Sequence, residues 1–201
     1  VKGGDIYWPA ETDVSIRPGW FYHPEEDSRV KSPDHLETIY YQSVGHNTNL
    51  ILNIPIDRRG RVHPADSAAM MALKKRIDQT FSTNLAAGAK QSWVDARTLE
   101  LQLPGPHAFN VLKIRERIEL GQRVEAWEVD AWSNNSWLPI GGATTIGHQR
   151  WLNLPTTTTS RLRIRFTSAL ADPRIAEVAL FHRPHANYLL ESEAEKENRM
   201  A

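Results

Sequence analysis

The feature that most limits what this chain can fold into is a change of hydrophobic period partway along it. Up to about residue 85 strand-like and helix-like stretches alternate, and from about residue 97 the period becomes two and helical signals stop. In the first stretch Val14 and Ile16 alternate with Asp13, Ser15 and Arg17, which predicts a strand over 11–17. Ser32-Pro33 opens a helix: the serine hydroxyl can cap free amides, and proline at the first helical position gives up only a donor that has no partner there. Leu36, Ile39, Tyr40 and Val44 follow on one helical face. Leu50-Ile51-Leu52-Asn53-Ile54 is nearly all apolar, the pattern of a parallel strand covered on both sides, placed at 49–55. After Pro64 a helix to about residue 83 turns Met70, Leu73, Ile77 and Phe81 inward, with the methionines as core filler. This β-α-β-α order fits the closing turns of a parallel barrel.

Beyond the change of period, residues 98–103, 109–114, 124–132, 161–166 and 175–181 read as strands separated by turn residues, which predicts an antiparallel sandwich. Thr156 to Thr159 reads as a turn. Arg161, Arg163 and Arg165 face away from Leu162, Ile164 and Phe166, so they form either a solvated outer face or a stripe for an anion or a glycan. The stretch 183–201 turns acidic and then polar, and 191–199 is expected to fray.

Charge and composition exclude more than they assign. Lysine plus arginine and aspartate plus glutamate are both 24, so there is no electrostatic footprint for nucleic acid or an anionic membrane. There is no cysteine, hence no disulfide framework and no thiolate metal site. Neither a charged-then-apolar leader nor a run of about 18 apolar residues occurs in the 201 residues. Seven tryptophans suit sugar stacking and sandwich cores equally.

Pro18-Gly19 ends the first strand, so Trp20, Phe21, Tyr22 and His23 fall on the loop just past it, where barrel enzymes keep substrate contacts. An aromatic plug in a core is the competing reading. Glu11 and Asp13, two apart on a strand, point the same way. Glu25-Glu26-Asp27 reads as solvated charge on a loop. His46, His63, His107, His148, His182 and His185 show no metal-ligand spacing with acidic partners, so no metal is assigned.

Taken in order, the run from Trp8 to His23, Glu26-Asp27, Val30-Lys31-Ser32, Ile39-Tyr40-Tyr41-Gln42-Ser43-Val44-Gly45, Asn49 through Pro55, and Asp57-Arg58-Arg59-Gly60 resemble family 29 glycoside hydrolases, the α-L-fucosidases. Phe109-Asn110, Glu116, the run Glu119 to Val124, Thr144-Thr145-Ile146-Gly147 and Arg161 to Arg165 continue the likeness. The nearest pattern is the bacterial branch that prefers α-1,3/1,4-linked fucose. The resemblance implies an α+β multidomain piece: the C-terminal part of a (β/α)8-type barrel over 1–88, then a galactose-binding-like antiparallel β-sandwich over 97–182, then a polar tail. Such a barrel takes roughly 250 residues, so only its last part fits here. The family's nucleophile, in a Trp-Phe-Asp-Gly type motif, and its acid/base, in a Gly-Asn-Glu type motif, have no counterpart; both are expected upstream, with no catalytic residue in this chain.

What the resemblance leaves for this chain is substrate contact. Trp20 would pack on the fucose ring near its C6 methyl, His23 would donate to a hydroxyl, and Glu11 and Asp13 would orient neighbours at the rim or meet an outer sugar. No cofactor is implied. The partner would be a fucosylated oligosaccharide or glycoconjugate, with no nucleic acid and no membrane, and the compartment, open from composition, would be periplasmic or extracellular in a bacterium. One departure stands out: 84–90 runs almost directly into the strand at 98, so one or two sandwich strands are expected to be missing. The alternative is a non-catalytic carbohydrate-binding or structural sandwich.

Overall fold

The computed structural model describes residues 9–184, which divide into two compact units at the junction of Ile77 and Asp78. Residues 1–8, including Trp8, and 185–201, including His185 and most of the expected tail, lie outside the described part.

In the first unit, β1 (Ala10–Ser15) pairs in parallel with β2 (Thr48–Asn53), with Glu11 opposite Asn49 and Asp13 opposite Ile51. The connection between them holds α1 (Pro33–Ser43). Ser32 caps α1 as expected, its hydroxyl accepting from the His35 amide. β1 ends at Ser15, short of the predicted limit: the Ile16 amide makes one last bond to β2 at the Asn53 carbonyl, while its own carbonyl accepts from the Lys31 amide instead. Beyond β2 the chain makes an isolated bridge between Ile56 and Val62, then enters α2 (Pro64–Phe81). Ile16, Leu36, Ala69 and Leu73 are buried together, with Leu52, Ile54, Met70 and Ile77 packed around them. In α1 it is Tyr41 rather than Tyr40 that is fully enclosed.

This sheet has two strands, and no closed barrel stands among the described residues. The expectation that β2 is covered on both faces does not hold there. Ile51 is 45% exposed and burial alternates along the strand, because only one face meets the helices.

The second unit is antiparallel. It comprises β3 (Lys90–Asp95), β4 (Thr98–Glu116), β5 (Val124–Ser133), β6 (Ser136–Ala143), β7 (Arg150–Ala169) and β8 (Ile175–Phe181). The order is β3-β4-β7-β5-β6, with β8 also on β4. β4 and β7 each change partners along their length: the first part of β4 lies between β3 and the last part of β7, and its last part lies between β8 and the first part of β7. Side chains from both halves meet in one core that includes Leu99, Leu101, Phe109, Leu112, Trp127, Ile164 and Leu180. That doubled sheet is the sandwich the alternation predicted.

Several details differ from expectation, among them that 98–103 and 109–114, read as separate strands, form one strand, β4. Residues 156–159 are strand, not turn, and form the middle of β7. The strand thought missing after residue 84 is present as β3. Residues 136–143 form β6, joined to β5 through Asn134 and Asn135, both at positive φ, as a two-residue hairpin loop requires. Within β6, a side chain on Gly141 would come within 2.7 Å of Leu154.

Candidate functional site

The loop after β1 is built from the strand ends outward. Arg17 is fully buried, and its Nε donates to both carboxylate oxygens of Asp66 at 3.0 Å. Its Nη1 donates to Asp27 at 2.9 Å. Burial opposes the Arg17 charge, but the two carboxylates outweigh it and raise its pKa, so the guanidinium stays protonated. The guanidinium also lies 4.9 Å over the Tyr22 ring. Tyr22 donates to Asp27 at 3.3 Å, and burial followed by the nearby Asp27 charge pushes the phenol pKa up. His63 approaches the same carboxylate, Nε2 to Oδ2, at 3.4 Å, which ties the loop after β2 to the loop after β1. Asp27 is thus a structural partner, not solvated charge.

A second turn stands beside it. Asp57 accepts from Arg59 through Nε at 3.0 Å and Nη2 at 2.6 Å, and from the amides of Arg59 and Arg61. The Arg59 hydrogen bonds hold its carboxyl down to about 2, against burial that would raise it.

These contacts leave the loop's aromatic face outward. Trp20 is 50% and Phe21 78% exposed, so neither plugs a core of the described residues. His23 is also exposed, with Nδ1 3.9 Å from Glu25. Glu11 and Asp13 are exposed on one face of β1. The structure therefore brings Trp20 and His23 onto one loop and keeps Glu11 and Asp13 on the strand that leads to it. Sequence reasoning missed Arg17, Asn53, Asp66 and His63; the one signal available was the charged Arg17 in an otherwise apolar strand end.

The motif residues of the second unit prove structural. Glu116 accepts from the amides of Arg123, Val124 and Gly147 at 2.8–3.0 Å. The Asn110 side chain pairs with both backbone groups of Arg183. The arginine stripe is neither bare nor simply solvated. Arg163 and Arg165 both donate to buried Asp130, and Arg161 reaches Glu100. Arg161 lies over Trp132 at 4.8 Å and Trp137 at 5.2 Å, and Arg163 over Trp137 at 4.7 Å. Among the described residues, no group of three or more His, Cys, Asp or Glu is placed to hold a metal ion, and no helix is long and apolar enough to cross a membrane.

No family profile matches the chain. Individual proteins do. α-L-Fucosidase 1 of Arabidopsis thaliana is 30% identical over 211 residues, which cover 89% of this chain and 41% of that protein. A rice protein provisionally given the same name is 31% identical over 209 residues, covering 89% and 40%. Among solved structures, a glycoside hydrolase family 29 member from an unknown rumen bacterium superposes with a TM-score of 0.86 at 36% identity, over 95% of this chain and 36% of that one. A Ruminococcus gnavus family 29 fucosidase in complex with fucose gives 0.80 at 24% identity, over 92% and 43%, which shows the fold alone. A parallel pair followed by this sandwich is thus shared with a solved family 29 glycoside hydrolase. The chain is a homologue of family 29, the α-L-fucosidases, and matches their C-terminal part. It spans about two fifths of the length of the curated relatives it matches.

Proposed function

We propose that this chain is the C-terminal part of a retaining exo-α-L-fucosidase that removes terminal α-L-fucose from glycans, in the branch acting on α-1,3/1,4 linkages. In this reading residues 1–88 close the catalytic β/α barrel, 97–182 form the galactose-binding-like sandwich that follows it, and both catalytic carboxyls come from upstream. Trp20, His23, Glu11 and Asp13 supply substrate contacts at the barrel mouth. The observation that carries the reading is the half-exposed Trp20, beside exposed Phe21, on a pinned loop at the C-terminal end of a parallel strand. That end of the strands is where barrel enzymes bind substrate. An indole presented there can pack on a C6 methyl and the apolar face of a pyranose.

A carbohydrate-binding sandwich gains less support. Trp127 and Trp151 are buried in the second unit, Trp132 and Trp137 carry guanidinium groups over their rings, and Trp93, 46% exposed with its ring 5.7 Å from Phe166, is the tryptophan of the described sandwich that stays open.

The test is Trp20→Ala in the full-length enzyme. If the indole contacts the fucose ring, kcat/KM for an aryl α-L-fucoside falls at least about tenfold, roughly 1.4 kcal/mol of transition-state binding. Unchanged kinetics would remove Trp20 from the site.

A further inference from the structure

We infer that Asn53, the last residue of β2, is the positioning residue for the aromatic loop, acting on Trp20 through the backbone. This rests on the reading of Trp20 as a sugar contact. Three carbonyls of the loop each accept a hydrogen bond from a side chain rooted at a strand end: Gly19 from Ser15 Oγ at 2.6 Å, Trp20 from Asn53 Nδ2 at 3.0 Å, and His23 from Arg17 Nη1 at 3.4 Å. Asn53 Nδ2 also donates to Ser15 Oγ at 3.1 Å, and that oxygen accepts from the Arg17 amide at 3.3 Å. Lys31 Nζ closes the other side by donating to the carbonyls of Ser15 and Arg17.

The donor sense is fixed by chemistry. A carbonyl can only accept, and Ser15 Oγ spends its one proton on Gly19, so both of its neighbours must present N–H. The Asn53 amide satisfies both demands at once, and an aspartate there would satisfy neither. Because the loop between Pro18 and His23 lacks a ladder of its own, these bonds stand in for one. They hold the Trp20 backbone while its ring stays outward, so the ordering cost of the aromatic face is met before a sugar arrives. The register does this: Ser15 lies opposite Asn53 in the parallel pair, and the two side chains meet at the point where the chain turns into the loop. Arg17 is buried against Asp66, so replacing it would test folding. Asn53 is only partly buried, and replacing it tests position.

The experiment uses the full-length enzyme labelled with 5-fluorotryptophan, the Trp20 resonance being assigned with Trp20→Phe. Asn53→Ala and, more strongly, Asn53→Asp are expected to shift and broaden the Trp20 fluorine line while the lines of Trp127 and Trp151 stay put. KM for an aryl α-L-fucoside should rise about fivefold with kcat changed less than about twofold, the size of one lost hydrogen bond. Adding Asn53→Ala to Trp20→Ala should cost nothing beyond Trp20→Ala alone, since the two act through one ring. An unmoved Trp20 line, or losses that simply add, overturns the role of Asn53. A moved line together with unchanged kinetics in Trp20→Ala leaves the clamp standing and overturns Trp20 as the sugar contact.

Discussion

The two units solve the burial of a sheet in opposite ways. In the second, six antiparallel strands double over and both halves bury their apolar faces in one core, so the strands cover one another. In the first, among the described residues, Ile16, Leu36, Ala69 and Leu73 form the centre of a smaller core, and Ile51, Ile56, Val62, Trp20 and Phe21 remain exposed. Antiparallel sheets tolerate water on one side, whereas parallel sheets are found with both faces covered. The lesson is that exposed apolar surface means different things in the two units. On β2 it is the face that the proposed barrel would enclose. On Trp20 and Phe21, held by hydrogen bonds beyond the strand end, it is surface kept open.

The largest expected effect follows directly. A polypeptide of these 201 residues should not turn over an aryl α-L-fucoside, since the described residues of the first unit offer two strands and the sequence no nucleophile motif for a glycosyl-enzyme intermediate. Measurable turnover by the purified polypeptide would break the comparison, and would make Glu11 and Asp13 the first carboxyls to replace.

Next in size is the contrast between two tryptophans. Trp127→Ala empties a filled position in the sandwich core and should cost about 3–5 kcal/mol in denaturant unfolding, with Trp20→Ala costing well under about 1 kcal/mol. Equal costs would show that Trp20 packs in a core after all.

The smallest effect sharpens the second unit. Burial would raise the Asp130 carboxyl, but hydrogen bonds from Arg165 and Arg163 outweigh it and leave the pKa below its ordinary value. A depressed folded value means that the unfolded chain takes up the proton first as pH falls. The stabilisation is therefore whole above about pH 4 and is lost as pH drops through the folded value. Asp130→Asn should cost about 1–3 kcal/mol at neutral pH, and the gap to the wild type should narrow below about pH 4. A gap independent of pH would show that packing, not the arginine pairing, is what the substitution removes.

How much of this was legible in the sequence depended on whether burial left a periodic trace. Residues 175–181 were read at their observed limits because Val178 and Leu180 face the core and Pro173 precedes them. Residues 156–159 misled because four threonines show no apolar alternation; Thr159 nonetheless holds the strand by donating to the Trp132 carbonyl. β3 was invisible because all six of its residues are exposed, so no face is marked. β6 carries Pro139 and two glycines, which mask a strand whose hairpin loop, Asn134-Asn135, was the available signal. At the site, Pro18-Gly19 announced the aromatic loop, but Asn53 could not be found: its role arises from a register between strands distant in sequence, and no local pattern records it.

The place of β7 between β4 and β5 also sets an order of events during synthesis. β4 and β5 pair with β7 rather than with each other, so their ladders to it are complete only once Arg165 and Ala169, respectively, have emerged. At ribosomal rates the interval after Glu116 lasts on the order of seconds. Throughout it Leu99, Leu112 and Ile114 await their partner strand, joined by Val129 once it has been made. Sheet pairings this distant along the chain are slow to form, so the nascent sandwich passes through a stage in which its apolar strands are open to other chains. A ribosome-bound chain stopped before β7 would hold these apolar strands without the partner that joins them.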